Sequence, residues 1–164
     1  MFLLLGSLTM PSAENTEEYG IKAAFIYRFT NYIEWDTPLS GNEFVIGVFG
    51  PSPIREALVE IAKTKTIKGK KIIIRQFNNP DDIRPCHILF ISQKATQSLQ
   101  EILLRVPDKG TLTISERTGY AAMGTQINLI QVDNSLKFEV NPRALYAEGL
   151  TAGSQLLKLA IIIN

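Results

Sequence analysis

The sequence predicts an α/β protein: a mainly parallel sheet flanked by helices, with an antiparallel hairpin at one end. Three observations carry this. Through the first two thirds of the chain, short apolar runs bounded by turn residues alternate with segments of helical period. The alternation then gives way to two strand-like runs, residues 126–132 and 136–140, joined by Asp133, Asn134 and Ser135, a connection short enough to force an antiparallel pair. The 164 residues, 45% hydrophobic and 20% charged, have the size and composition of one globular domain, which excludes a disordered chain.

Residues 1–13 begin with an apolar run and end in small residues before an abrupt acidic stretch. They read as the remnant of an export signal, with residues 14–164 forming a single domain. Residues 17–35 fit a helix, with Tyr19, Ala23, Ile26, Phe29, Tyr32 and Ile33 close to one stripe. Residues 44–49 form a buried-type strand that stops at Gly50 and Pro51. A helix over 53–63 follows, with Ser52 as N-cap and Pro53 at the first helical position. Residues 71–77, 87–91 and 111–115 are the second, third and fourth strands. Between the third and fourth, a helix over 95–106 presents Leu99, Ile102, Leu103 and Val106 on one face. After the hairpin, Asn141 and Pro142 open a final helix whose apolar residues, from Leu145 to Ile161, should be largely buried. Gly149 and Gly153 fall four apart on that helix, spacing that permits close approach to the sheet or to a second subunit in a homodimer.

One connection constrains the topology. Residues 78–86 are too few for a full crossover helix between the second and third strands. One helical turn near Asp81 suffices only if the first strand lies between them. The predicted order is therefore second, first, third, fourth, with the hairpin beside the fourth.

Composition narrows the chemistry. Lysine and arginine number 17 against 16 aspartates and glutamates, so nothing in the charge balance suits a nucleic acid. A single cysteine, Cys86, excludes an internal disulfide and any multi-thiolate metal site. The only histidine, His87, is its neighbour, and adjacent strand residues point to opposite faces. No serine-hydrolase elbow and no phosphate-binding loop is present. The expectation is a protein without catalytic residues, metal or cofactor.

Two binding surfaces are candidates. In an open parallel sheet, ligands favour the carboxyl ends of the strands, and here those ends carry Ser52, Ser92, Lys94 and Ser115. The helix after Ser52 offers free N–H groups to an anion; the alternative is that these serines cap the next element. Phe25, Tyr27, Phe29, Tyr32 and Trp35 cannot share one helix face. Tyr32 and Trp35 are the candidate anchors of a partner interface, the alternative being that all five serve the core. Lys63, Lys65, Lys68, Lys70 and Lys71 form a basic run without interleaved aromatics. It reads as a solvated loop, with an acidic partner as the alternative.

Tyr27, Phe29, Tyr32 and Trp35 together resemble the aromatic-rich first-helix signature of the YfiR-like family of small periplasmic proteins. Residues 86–92 resemble its central strand, and residues 112–115 the strand that follows. Residues 137–141 are similar to its phenylalanine-and-asparagine strand, and Gly149, Leu150 and residues 156–160 complete the pattern, over about residues 19–160. The resemblance implies a periplasmic negative regulator that binds the extracytoplasmic part of a membrane diguanylate cyclase and limits cyclic-di-GMP signalling and biofilm formation. The alternative it implies is an extracytoplasmic small-ligand sensor acting with a histidine kinase or transporter. Two departures stand out. The family's double glycine before the hairpin is Gly124 and Thr125 here, and Cys86 has none of the paired cysteines of some members.

Overall fold

A computed structural model describes residues 12–107 and 109–164. In chain order the elements are α1 (Ala13–Phe29), β1 (Ile33–Trp35), β2 (Glu43–Phe49), α2 (Ile54–Ala62), β3 (Thr66–Ile67) and β4 (Lys70–Phe77). A 3-10 turn (Pro80–Asp82), β5 (Ile88–Ile91), α3 (Leu99–Leu103), β6 (Leu112–Ser115), β7 (Ile127–Val132) and β8 (Ser135–Val140) follow. The chain continues through α4 (Pro142–Ala147), β9 (Leu150–Ala152), α5 (Ser154–Leu159) and β10 (Ile161–Ile162). The expected export signal lies outside the described residues except for Ser12 and Ala13, which open α1. The Ser12 hydroxyl accepts a hydrogen bond from the Asn15 N–H at 3.3 Å.

Eight strands form one sheet in the order β10-β8-β7-β6-β5-β2-β4-β3. β4, β2, β5, β6 and β7 run parallel, and β7 and β8 form the antiparallel hairpin. The order deduced from the short 78–86 connection is the observed one, and the connection contains only the 3-10 turn. The hairpin turns through Asp133 and Asn134, both left-handed at φ 49° and 62°, as a two-residue turn requires. Ser135, expected in the turn, belongs to β8 opposite Val132.

The sheet separates two apolar layers. Phe44, Ile46 and Val48 of β2 face the side covered by α1, α2, α4 and α5, with Ile26, Phe29, Leu58, Leu145 and Leu156. Val45 and Phe49 face the other side, with Phe77, Leu89, Ile91 and the α3 residues Leu99 and Ile102. Period-two alternation along β2 produces both layers. Gly47 belongs to the second layer: a Cβ there would stand 2.7 Å from the Phe77 ring and 3.0 Å from Leu89.

Three expected helices are corrected. The helix expected over 17–35 ends at Phe29, because Thr30 turns its hydroxyl back to the Tyr27 carbonyl at 2.6 Å and residues 33–35 become β1. The final helix is broken into α4, β9, α5 and β10. Gly149, at φ +71°, ends its first piece. Neither Gly149 nor Gly153 is helical, so they share no helix face. These two corrections are one contact: β1 pairs antiparallel with β9, Ile33 opposite Ala152 and Trp35 opposite Leu150. The helix expected over 95–106 shortens to Leu99–Leu103, because Ser98 and Glu101 form a reciprocal capping box that fixes its start.

Candidate functional site

At the carboxyl ends of the parallel strands the chain closes its own rim. α1 crosses here, and Lys22 interrupts its buried stripe of Tyr19, Ala23, Ile26 and Phe29. The Lys22 ammonium donates to Glu116 Oε2 at 2.7 Å and also contacts Glu18 at 2.6 Å. Glu116 follows β6, and its side chain is 1% exposed against 5% for Lys22. Glu116 Oε1 accepts from the Tyr19 hydroxyl at 3.1 Å and from the Gln93 N–H at 3.3 Å. Burial pulls the Lys22 ammonium down, but its bonds to Glu116 and Glu18 outweigh this and hold it above the ordinary lysine value. Burial and the Glu116 charge raise the Tyr19 phenol, which therefore stays protonated.

The serines expected at this rim all have partners within the protein. Ser52 accepts from the Ile54 N–H at 3.2 Å, at the entry to α2. Ser92 donates to the Pro51 carbonyl at 2.7 Å and accepts from the Lys94 N–H at 3.1 Å. Ser115 is fully buried, with Thr125 Oγ1 and Asn128 Oδ1 each at 2.7 Å. The Lys94 side chain is exposed. Ser52 also lines a largely apolar cleft of about 440 Å³ between α1 and α2, with Tyr19, Pro53 and Ala57. Ser92 thus lies against the turn that carries Ser52, and each of the three hydroxyls is already bonded within the protein.

The β1–β9 ribbon places the two aromatic anchors differently. Ile33 is buried and Trp35 half-buried on the core side of β1, whereas Tyr32 is 38% exposed. Trp35 is pinned: its indole N–H donates to the Gly110 carbonyl at 2.9 Å, and its ring meets Phe44 edge-on at 5.7 Å. The Lys68 ammonium lies 5.7 Å from the same ring. Of the basic run, Lys63 pairs with Glu60 at 2.5 Å and Lys70 donates to the Gly41 carbonyl.

At the opposite ends of the strands lies a crevice of about 590 Å³. Trp35, Asp36, His87, Lys109, Tyr146 and Glu148 line it. Tyr146 is 81% exposed. His87 stacks on Phe44 at 4.6 Å, and its Nδ1 accepts the Val45 N–H at 2.9 Å, so the ring proton of the neutral imidazole sits on Nε2. Burial, with the Lys70 charge, lowers its pKa. Cys86 sits in the layer on the α3 side, its thiol pushed up to about 12 by burial. The pair is thus split between the two layers, as adjacent strand residues should be. Among the described residues, no group of three His, Cys, Asp or Glu side chains is placed to hold a metal ion.

The Lys22–Glu116 lock had a sequence signal, a lysine inside an apolar helical stripe, because a buried cation demands a buried anion. The crevice had none: the loop after Trp35, the start of β5 and the end of α4 meet only in the fold.

These features define an α/β module whose first helix crosses the strand-end rim and whose exposed Tyr32 lies beside a β ribbon. The chain belongs to the YfiR/HmsC-like family, whose profile matches residues 19–161. A conserved domain protein from Vibrio cholerae O1 biovar El Tor, known from its crystal structure, has a similar fold: TM-score 0.59 at 13% identity, over 89% of this chain. The chain spans 60% of the length of that Vibrio protein. A search of curated proteins returns no match.

Proposed function

We propose that this chain is an exported periplasmic regulator that acts without catalysis, by binding the extracytoplasmic part of a membrane diguanylate cyclase and holding it in its less active state. The observation that carries the reading is membership of the YfiR/HmsC-like family across residues 19–161. The geometry agrees with a binding role. No helix among the described residues is long and apolar enough to cross a membrane. Tyr32, exposed beside the two-stranded β1–β9 ribbon, supplies an aromatic anchor. A regulator of this kind works only through a difference in affinity between the two states of its partner.

The test is co-purification. Tagged protein from the periplasmic fraction, incubated with detergent-solubilised membranes, retains a diguanylate cyclase, and Tyr32→Ala retains less of it while keeping its circular dichroism spectrum. Absence of any cyclase from the retained proteins contradicts the reading.

A small-ligand sensor is the second reading, favoured by the apolar cleft beside Ser52. It is tested by thermal shift with a metabolite library, since a ligand bound only to the folded state raises the transition.

A further inference from the structure

We infer that the crevice at the amino ends of the strands is a docking site for a cationic side chain, arginine or lysine, carried on an extended segment of the protein partner. The inference deepens the partner-binding reading above and rests on it.

The first observation is an unmade hydrogen bond. Glu148 Oε2 is sealed from solvent and has no partner among the described residues. Such an orphaned acceptor is rare in folded proteins and calls for a donor. Glu148 lines the crevice, and its terminal carboxylate torsion is soft. Asp36, on the facing loop, adds a second carboxylate to the same space.

The second observation is the wall. Tyr146, 81% exposed, lines the space together with Trp35, whose ring already has the Lys68 ammonium at 5.7 Å. An aromatic face beside a carboxylate suits a guanidinium or ammonium, which gains from both. Lys109 is the one cation lining the space. Its ammonium is committed to the Ala147 carbonyl at 3.2 Å and is in ion-pair contact with neither carboxylate among the described residues.

The third is a donor of fixed direction. Because His87 Nδ1 receives the Val45 N–H, its Nε2–H remains for a backbone carbonyl of the incoming segment. The crevice thus offers carboxylates and an aromatic face to a cationic side chain, and one N–H to the peptide that carries it.

Trp35 is the only tryptophan in the chain, so its fluorescence reports occupancy directly. The probe is a short acetylated, amidated peptide with one central arginine, titrated beside the same peptide carrying lysine or neutral citrulline. The expected result is a saturable change with the arginine or lysine peptide, and binding at least about tenfold weaker for citrulline, as loss of the charge implies. Glu148→Gln weakens the arginine peptide by a similar factor. Tyr146→Ala, at a position too exposed to disturb the core, weakens it as well and serves if Glu148→Gln fails to fold. No saturable change, equal binding of citrulline, or wild-type affinity in both variants overturns the inference. Peptide binding without cyclase co-purification faults the pathway; co-purification without peptide binding faults the crevice.

Discussion

Glu116 Oε2, at the end of β6, accepts a 2.7 Å hydrogen bond from Lys22 Nζ in α1, 94 residues earlier in the chain. Both side chains are almost wholly removed from water. The lock ties the first helix across the edge of the sheet where open α/β proteins keep their ligands.

Removing Lys22 leaves the Glu116 carboxylate buried without a cation, and removing Glu116 leaves the Lys22 ammonium buried with only the partly exposed Glu18. Glu116→Gln or Lys22→Met should each destabilise the fold by about 3–5 kcal/mol, while the double replacement Lys22→Met with Glu116→Leu should cost much less. Urea unfolding of the four proteins measures this. The lock also has an alkaline limit. Lys22 and Tyr19 both hold their protons more tightly in the folded state. The stability they contribute is therefore full below their ordinary values near 10 and is lost as pH rises through the folded ones.

The single histidine sets the acid limb. His87 titrates below its ordinary value of 6.5, from burial and the nearby Lys70 charge. Its contribution is present above 6.5 and is lost as pH falls toward the folded value, because the unfolded chain takes the proton first. The urea midpoint should fall between pH 7 and pH 5.5 in the parent, and His87→Gln should flatten that slope.

Cys86 should be inert while the protein is folded. With the thiol pushed from 9.0 to about 12, its thiolate fraction near neutral pH drops on the order of a thousandfold. Alkylation should follow global unfolding in urea, and Cys86→Ser should leave regulation unchanged under oxidising and reducing conditions alike. Fast labelling of the native protein contradicts this.

Gly47→Ala tests the packing of the apolar layer on the α3 side. The added methyl meets the Phe77 ring and Leu89, rigid neighbours in adjacent strands, so overpacking should cost about 1–3 kcal/mol. The same replacement at Gly20, where a Cβ meets nothing within 4 Å, should be neutral or stabilising in the middle of α1. Thermal unfolding of the two variants compares them.

The sheet was legible because local signals and chain length agreed. Apolar runs ending at glycine or proline marked the parallel strands, and one connection too short for a helix fixed their order. What escaped was decided by distant partners. Residues 33–35 and 150–152 carry apolar spacing that suits a helix, and each becomes a strand only because the other lies beside it. The candidate site residues divide the same way. Tyr32 was legible as an aromatic beyond what one helix face can bury. Trp35 was assigned with it, but strand alternation turns Trp35 toward Phe44 and leaves Tyr32 outside. The hydroxyls of Ser92 and Ser115 gave no sequence sign that Pro51, Thr125 and Asn128 would occupy them.

Cyclic-di-GMP measured in a clean deletion strain tests the central claim most directly. The level should rise on deletion, fall back when the parent sequence is restored, and stay raised when Tyr32→Ala is supplied at equal abundance. An unchanged level on deletion, with the protein confirmed as expressed in the parent strain, would contradict the proposed regulation of a diguanylate cyclase.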